Sequence, residues 1–208
     1  MQSLVRRYLR ASYFTTSALA LAASMAAIAP AHAADTAFKF NMVRSPALNG
    51  VPACVANAKG TVKITPQGAV EVMTVNVKGL PANTGFDLFV IQQPNAPFGM
   101  AWYQSDLETD QYGNGTVKVI GRFNHETFMV APGSVAAPVE DAFDASSNPA
   151  TAPIHMYHLG LWFNSPTDAV NAGCPGNSTP FNGEHTAGVQ VLNTSGFPDL
   201  SGPLLNVD

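Results

Sequence analysis

The sequence predicts an all-β protein, an immunoglobulin-like or Greek-key β-sandwich with one short helix and long loops. Of its 208 residues only 12% are charged while 46% are hydrophobic, which is too little charge for a disordered chain. The 17 glycines and 16 prolines favour many turns. Between these turns, short segments alternate apolar and polar residues, as half-buried strands do.

The first 33 residues have the features of a signal peptide. Three arginines precede an Ala/Leu-rich run over residues 17–29, which is shorter than the ~20 residues that a membrane-spanning helix needs. Ala31-His32-Ala33 matches the small-x-small pattern of a signal peptidase site, so we expect the mature chain to begin at Ala34 without a transmembrane anchor. General secretion and twin-arginine export both stay open, and both predict a periplasmic or secreted protein.

Charge is unevenly distributed along the chain. The formal net charge is −4, but without the signal peptide seven basic residues stand against fourteen acidic ones. The acidic balance predicts no nucleic-acid partner, because a general electrostatic nucleic-acid binder needs a basic face. No lysine or arginine follows Arg122, and all four histidines of the mature chain lie after it. That half of the chain is suited to binding a metal ion or a cationic partner. The alternative is that its acidic residues form a solvated surface.

Cys54 and Cys174 are the only cysteines, and we expect them to form a disulfide because an exported chain meets an oxidising compartment. Such a bridge joins the early mature chain to its last third. Residues 34–208 are therefore predicted to form a single β-sandwich domain.

Seven segments have strand patterns, and turns rich in glycine, proline and asparagine separate them. They are residues 38–42, 61–65, 70–78, 86–92, 116–123, 154–163 and 186–192. A short helix is predicted where Ser165 can cap, Pro166 fits the first turn and Gly173 can end it. Residues 131–153 have no strand pattern and contain four prolines, which predicts a long excursion or a flap.

One stretch resembles a known family. A strand, Gly79-Leu80-Pro81, a small turn and then Gly85-Phe86 are similar to the early part of copper/zinc superoxide dismutase-like sandwiches. In that family a Gly-Phe-His-x-His segment supplies two metal ligands, at positions that hold Asp87 and Phe89 here. The same turn resembles other immunoglobulin-like sandwiches. The resemblance implies the fold, and the missing ligands argue against dismutase activity.

The histidines support metal binding as the alternative function. Strand alternation puts His155 and His158 on opposite faces, so they cannot chelate one ion together. The candidate ligands are therefore drawn from several elements: His125, His155, His158, Glu184 and His185. Such a set suits Zn or Cu with a redox or hydrolytic role. No pair has a diagnostic spacing, so the first expectation is no cofactor.

Aromatic residues support ligand binding as the leading function. Phe98, Trp102 and Tyr103 lie in a Pro/Gly-rich segment that we interpret as a loop, and Trp162 lies in a second aromatic segment. Exposed aromatic rings bind sugars or peptides by stacking, whereas buried ones would form a lid over the core. We predict a non-catalytic extracytoplasmic binding or structural module for a carbohydrate or peptide. Hydrolase chemistry is not expected, because neither a Gly-x-Ser-x-Gly motif nor a free cysteine is present.

Overall fold

The computed structural model describes residues 36–123, 126–129, 153–181 and 186–207, all within one compact unit over His32–Asp208. The expected signal peptide and residues 131–152 of the predicted excursion lie outside the described residues. The described strands are β1 (Phe38–Arg44), β2 (Lys59–Gln67), β3 (Val70–Lys78), β4 (Gly85–Ile91), β5 (Ala101–Glu108), β6 (Gly115–Gly121), β7 (Glu126–Met129), β8 (Pro153–His155), β9 (His158–Phe163) and β10 (Gln190–Asn193). A helix, α1, spans Pro166–Asn171, and 3-10 helices span Pro46–Leu48 and Pro203–Asn206.

Eight of these strands form one antiparallel sheet in the order β5-β4-β9-β10-β1-β2-β3-β6, and β7 pairs separately with β8. Strand β1 is shared, since residues 38–42 pair with β2 while Val43 and Arg44 pair with β10. The two ends of the sheet meet at a bridge between Thr109 and Gly115, so the sheet is nearly closed. The all-β prediction is confirmed. The finer prediction of an immunoglobulin-like or Greek-key sandwich stays a prediction.

The main core lies inside the curved sheet, because alternate residues of each strand point to the same face. In β2 and β3 the buried positions include Val62, Ile64, Met73 and Val75, as the sequence pattern predicts. Strands β4 and β9 are buried on both faces. One face of each packs in the main core, and the other carries a smaller cluster of buried aromatic and aliphatic side chains.

The predicted helix and disulfide are both confirmed. The Ser165 hydroxyl accepts a hydrogen bond from the Asp168 N–H at 3.1 Å, and Gly173 ends the helical turn with φ of +71°, a conformation that glycine adopts without strain. The turn delivers Cys174 to Cys54, and the Cα atoms of the bonded pair are 4.9 Å apart. Among the described residues, no helix is long and apolar enough to cross a membrane.

Arg44 organises the loop that carries Cys54. Its guanidinium donates hydrogen bonds to the carbonyls of Cys54 at 2.9 Å, Leu48 at 2.8 Å and Val51 at 2.7 Å. Three backbone carbonyls of the loop after β1 thus converge on one charged group, and hydrogen bonds to a charged donor are stronger than neutral ones. The half-cystine is therefore held on a loop with fixed geometry.

Three expectations about the elements are wrong. The segment around Trp102, interpreted as a loop, forms strand β5 instead, and its alternation is hidden by a register shift opposite Leu88 and Phe89. The predicted strand 154–163 is two strands, β8 and β9, which are interrupted where the Tyr157 carbonyl accepts the Leu204 N–H at 3.1 Å. The strand expected over 186–192 covers Gln190–Asn193.

Candidate functional site

A compact group of aromatic rings lies on the outer face of β4 and β9, and we call it the aromatic cluster. Its centre is Trp162, which is 0% exposed. The Trp162 ring centroid lies 5.0 Å from that of Phe181, 5.1 Å from Phe98 and 5.4 Å from Phe89. Gly160 leaves room for the indole, since a Cβ atom there would overlap the Trp162 ring. These separations are typical of stabilising aromatic pairs.

The loop that carries Phe98 is fixed by buried amides. The Pro94 carbonyl accepts hydrogen bonds from the side-chain amides of Asn193 at 2.8 Å and Gln190 at 3.2 Å. The Gln92 side chain accepts the Met100 N–H at 3.1 Å at the other end of the loop. Because these partners are buried, breaking the bonds would leave unsatisfied polar groups in the interior. The amides therefore hold Phe98 against the cluster.

Tyr103 lies at the margin of this cluster and is 40% exposed, and the neighbouring Trp102 of β5 is 47% exposed. The Tyr103 ring meets Phe89 edge to face at 5.7 Å, and its hydroxyl donates a hydrogen bond to Asp106 at 2.7 Å. Burial and the Asp106 carboxylate together raise the pKa of Tyr103 well above its usual range. Tyr103 pairs with Phe89 and Trp102 with Val90, so the two rings stand on opposite faces of β5.

The four predicted aromatic contacts therefore separate into two groups. Trp102 and Tyr103 are exposed, as a binding surface requires. Trp162, expected as a ligand contact, is instead the buried centre of the aromatic cluster, and Phe98 is half-buried against it. Sequence reasoning missed Phe181 and Phe89 as members of this cluster. A signal for Phe89 exists, because a strand that is apolar on both faces must be covered on both.

Asp87 and Phe89, which stand where dismutase-like sandwiches have two metal ligands, also lie on this outer face. Phe89 packs in the aromatic cluster, 4.9 Å from Phe181 between ring centroids. Asp87 is buried and lies in register with Asp106 on β5 and with Trp162 on β9. The face is thus occupied largely by aromatic rings. The resemblance to dismutase-like sandwiches stays a prediction.

The described histidines are held by hydrogen bonds within the fold. His158 is buried, with Nδ1 2.8 Å from the Thr194 hydroxyl and Nε2 3.0 Å from the Asp199 carbonyl. Thr194 also accepts the Leu159 N–H at 3.2 Å, so its hydroxyl proton is directed to Nδ1, and Nε2 carries the imidazole proton. Neither nitrogen of His158 is left for a metal ion. The Nδ1 atom of His155 lies 2.7 Å from the Tyr157 hydroxyl.

The predicted metal site gains no support from this part of the chain. Within the described residues, no group of three or more His, Cys, Asp or Glu side chains could hold a metal ion. The candidate ligands His125, Glu184 and His185 lie outside the described residues.

His158 predicts a specific pH dependence of stability. Burial lowers the pKa of His158, and interactions with Asp199 oppose this only in part. The unfolded chain takes up a proton near pH ~6.5, the usual value for histidine, whereas the folded state does so only at lower pH. The free energy of unfolding should therefore fall as the pH drops below ~6.5, by at most ~1.4 kcal/mol per pH unit from this residue.

Urea denaturation between neutral and mildly acidic pH tests this expectation. His158→Gln retains a donor and an acceptor, so it should fold with lower stability but with a flatter pH profile than the wild type. All other groups are common to both proteins, so their contributions cancel in the comparison. Equal pH slopes for the two proteins would contradict the assignment of His158 as a buried neutral imidazole.

In comparisons with protein-family models and with curated proteins, no family model and no curated protein matches this chain.

Proposed function

We propose that this protein is an exported, non-catalytic binding module whose ligand contacts Trp102 and Tyr103 of β5. The observation that carries the proposal is the exposure of both rings on a strand that the buried aromatic cluster supports. Exposed Trp and Tyr side chains recur at binding surfaces, because they bury a large apolar area on contact and lose little conformational entropy. A strand backed by a packed cluster also presents them in a fixed position.

The ligand is a carbohydrate or a peptide, and the arrangement favours an extended peptide. Trp102 and Tyr103 lie on opposite faces of β5, so a single flat sugar ring cannot stack on both. Strand β5 is at the end of the sheet order, and among the described residues this end is bridged to β6 only through Thr109 and Gly115. A peptide that lies along an end strand gains main-chain hydrogen bonds and meets side chains on both faces.

Export and a Greek-key arrangement belong to the same proposal. The bonded Cys54–Cys174 pair supports an oxidising compartment, because disulfides persist mainly outside the cytosol. Strands β4, β5 and β6 follow one another, while β3 lies beside β6 rather than beside β4. That order supports a Greek key and agrees with the predicted sandwich. Metal binding is not proposed, since nothing among the described residues favours it.

The two tryptophans allow the binding surface to be tested directly. In a Trp162→Phe variant the emission comes from Trp102 alone, and we expect strong quenching by acrylamide because that ring is half exposed. In a Trp102→Phe variant the emission comes from Trp162, and quenching should be weak. Weak quenching of Trp102 would mean that its ring is covered, and the proposal would fail.

Ligand class is tested with a phage-displayed library of random linear peptides and, in parallel, with cellohexaose and chitohexaose. We expect peptides to be selected, and Trp102→Ala to weaken the best one by roughly tenfold or more, as loss of a hot-spot tryptophan does. Tyr112→Ala is the matched control, because Tyr112 is an exposed aromatic residue in the turn after β5. Equal losses for the two variants, or binding of the oligosaccharides alone, would overturn the assignment.

A further inference from the structure

All five lysines of the chain lie on one face of the sheet. Strands β1, β2, β3 and β6 alternate between buried and exposed positions, and the exposed positions hold Lys39, Lys59, Lys63, Lys78 and Lys118. The other exposed or half-exposed side chains on this face are mainly threonine and asparagine, none is a carboxylate, and the large apolar residues Val43 and Ile120 are exposed towards its margins. We call this surface the lysine face. It is strongly cationic although the chain as a whole is acidic.

The strand register arranges the lysines in two rows. Lys39 pairs with Lys63, and Lys63 and Lys118 both pair with Thr74, which makes one row across four strands. Lys59 pairs directly with Lys78 in the second row. Lys59 and Lys63 are four positions apart on β2, so the rows are separated by ~13 Å at ~3.3 Å per residue.

An uncharged polar row lies between the two lysine rows. It consists of Asn41, Thr61, Asn76 and Thr116, one from each strand in direct register. Two shallow grooves, of about 420 and 340 Å³, run along this row and share Lys59, Thr61 and Lys78 in their walls. Hydroxyl and amide groups of this row thus line the grooves together with Lys59 and Lys78, and the row of Lys39, Lys63 and Lys118 lies on the other side of the Asn/Thr row.

This arrangement is unfavourable for the isolated protein. Like charges directly opposite each other destabilise a sheet, and the face contains two such pairs, Lys39–Lys63 and Lys59–Lys78. None of the five lysines makes an ion pair with any residue that the structure describes. An anionic partner would relieve this repulsion, and the local field of the face prevails over the net charge within a Debye length of ~10 Å.

We propose that the lysine face binds an anionic polysaccharide, with its acidic groups on the lysine rows and its hydroxyl groups on the Asn/Thr row. The site is separate from the proposed aromatic binding surface on β5. The chemistry of the face decides between classes of polyanion. Its middle lacks the aromatic rings on which single-stranded nucleic acid stacks, and the large apolar residues with which amphipathic surfaces enter a bilayer. Amide and hydroxyl groups instead match sugar hydroxyls.

The test compares binding to carboxymethyl dextran with binding to unmodified dextran, which share a backbone and differ in charge. We expect the purified protein to bind only the carboxymethylated polymer, with affinity falling between about 50 and about 200 mM NaCl. Lys59→Gln with Lys78→Gln should weaken binding roughly tenfold and lower the slope of log affinity against log salt by about two. The double variant should be at least as thermally stable as the wild type, since it removes one repulsive pair.

Two further variants separate the face from overall charge. Gln111→Glu with Asn177→Asp changes the net charge by the same amount at exposed positions that belong neither to the lysine rows nor to the lining of the grooves, and binding should be weakened far less than by the lysine variants. Lys63→Gln with Lys118→Gln removes charge from the other row. This variant should also weaken binding to carboxymethyl dextran when Lys59 and Lys78 are intact. No retention on the anionic polymer, or an equal loss in the charge control, would overturn the proposal. Preference for phosphatidylglycerol-containing vesicles or duplex DNA would reject the polysaccharide.

Discussion

Replacing Cys54 and Cys174 together by alanine is expected to lower the free energy of unfolding by about 3–5 kcal/mol. The bridge joins residues 120 positions apart, so without it the unfolded chain gains the entropy of a long open loop. Both half-cystines are buried, and their loop is already held by Arg44. We therefore expect the double variant to fold into the same structure with a lower denaturation midpoint.

Guanidinium denaturation of the double variant, with and without a reductant, measures this effect. The wild type should lose the same stability when dithiothreitol is present during unfolding, while the variant should not respond to it. The single variants Cys54→Ala and Cys174→Ala should match the double variant if the loss comes from the bridge rather than from packing of the sulfur atoms. A loss below about 1 kcal/mol would mean that the bridge hardly constrains the unfolded chain.

Trp162→Ala is expected to lower the free energy of unfolding by about 3–5 kcal/mol, the usual range when a large buried aromatic residue is truncated. The indole contacts three other rings at centroid distances of 5.0–5.4 Å, so its removal leaves a cavity at the centre of the aromatic cluster. Phe98 and Phe181 then lose the indole ring against which both of them pack. Besides the lower stability, we expect faster amide hydrogen exchange over the loop between β4 and β5.

Trp162→Phe is the matched variant and should be close to neutral in stability. The smaller ring leaves a gap, but it also removes an indole N–H that has no hydrogen-bond partner among the described residues. An unsatisfied buried donor costs about 1–3 kcal/mol, which is similar to the loss expected from the smaller ring. If Trp162→Phe destabilises as much as Trp162→Ala, the indole nitrogen contributes favourably and the expectation is wrong.

Sequence patterns predicted the elements that depend on local chemistry. Strand β3 was predicted with its observed bounds, because apolar and polar residues alternate from Met73 to Lys78 and β-branched residues precede them. Helix α1 followed from Ser165, Pro166 and Gly173, which act within a few positions of one another. Strand β5 was missed because its register shift puts polar residues where alternation requires apolar ones. The order of the sheet depends on pairings between distant strands, which periodicity does not encode.

The candidate sites were predictable only as lists of residues. The sequence identifies Trp102 and Trp162 as aromatic, but their opposite exposures depend on which loops cover each face of the sheet. The lysine face has a local signal, since Lys59, Thr61 and Lys63 occupy the polar positions of one strand. Its two rows could not be predicted, because they exist only in the register of four strands. The net charge of the chain gives no sign of the lysine face, because it sums the charges of the whole protein.

Strand β1 has a consequence for how the chain folds. The first part of β1 pairs with β2, which is close in sequence. Its last residues pair with β10, so Val43 pairs with Asn193, which comes near the end of the chain. Contacts between residues so distant in the chain slow folding, because loop-closure entropy is lost before the contact forms. The β1-β2-β3 meander can assemble early in folding, but one edge of β1 stays unpaired until β10 is in place. An exposed edge of this kind recruits other chains, so aggregation should compete with folding during that interval and should depend on protein concentration.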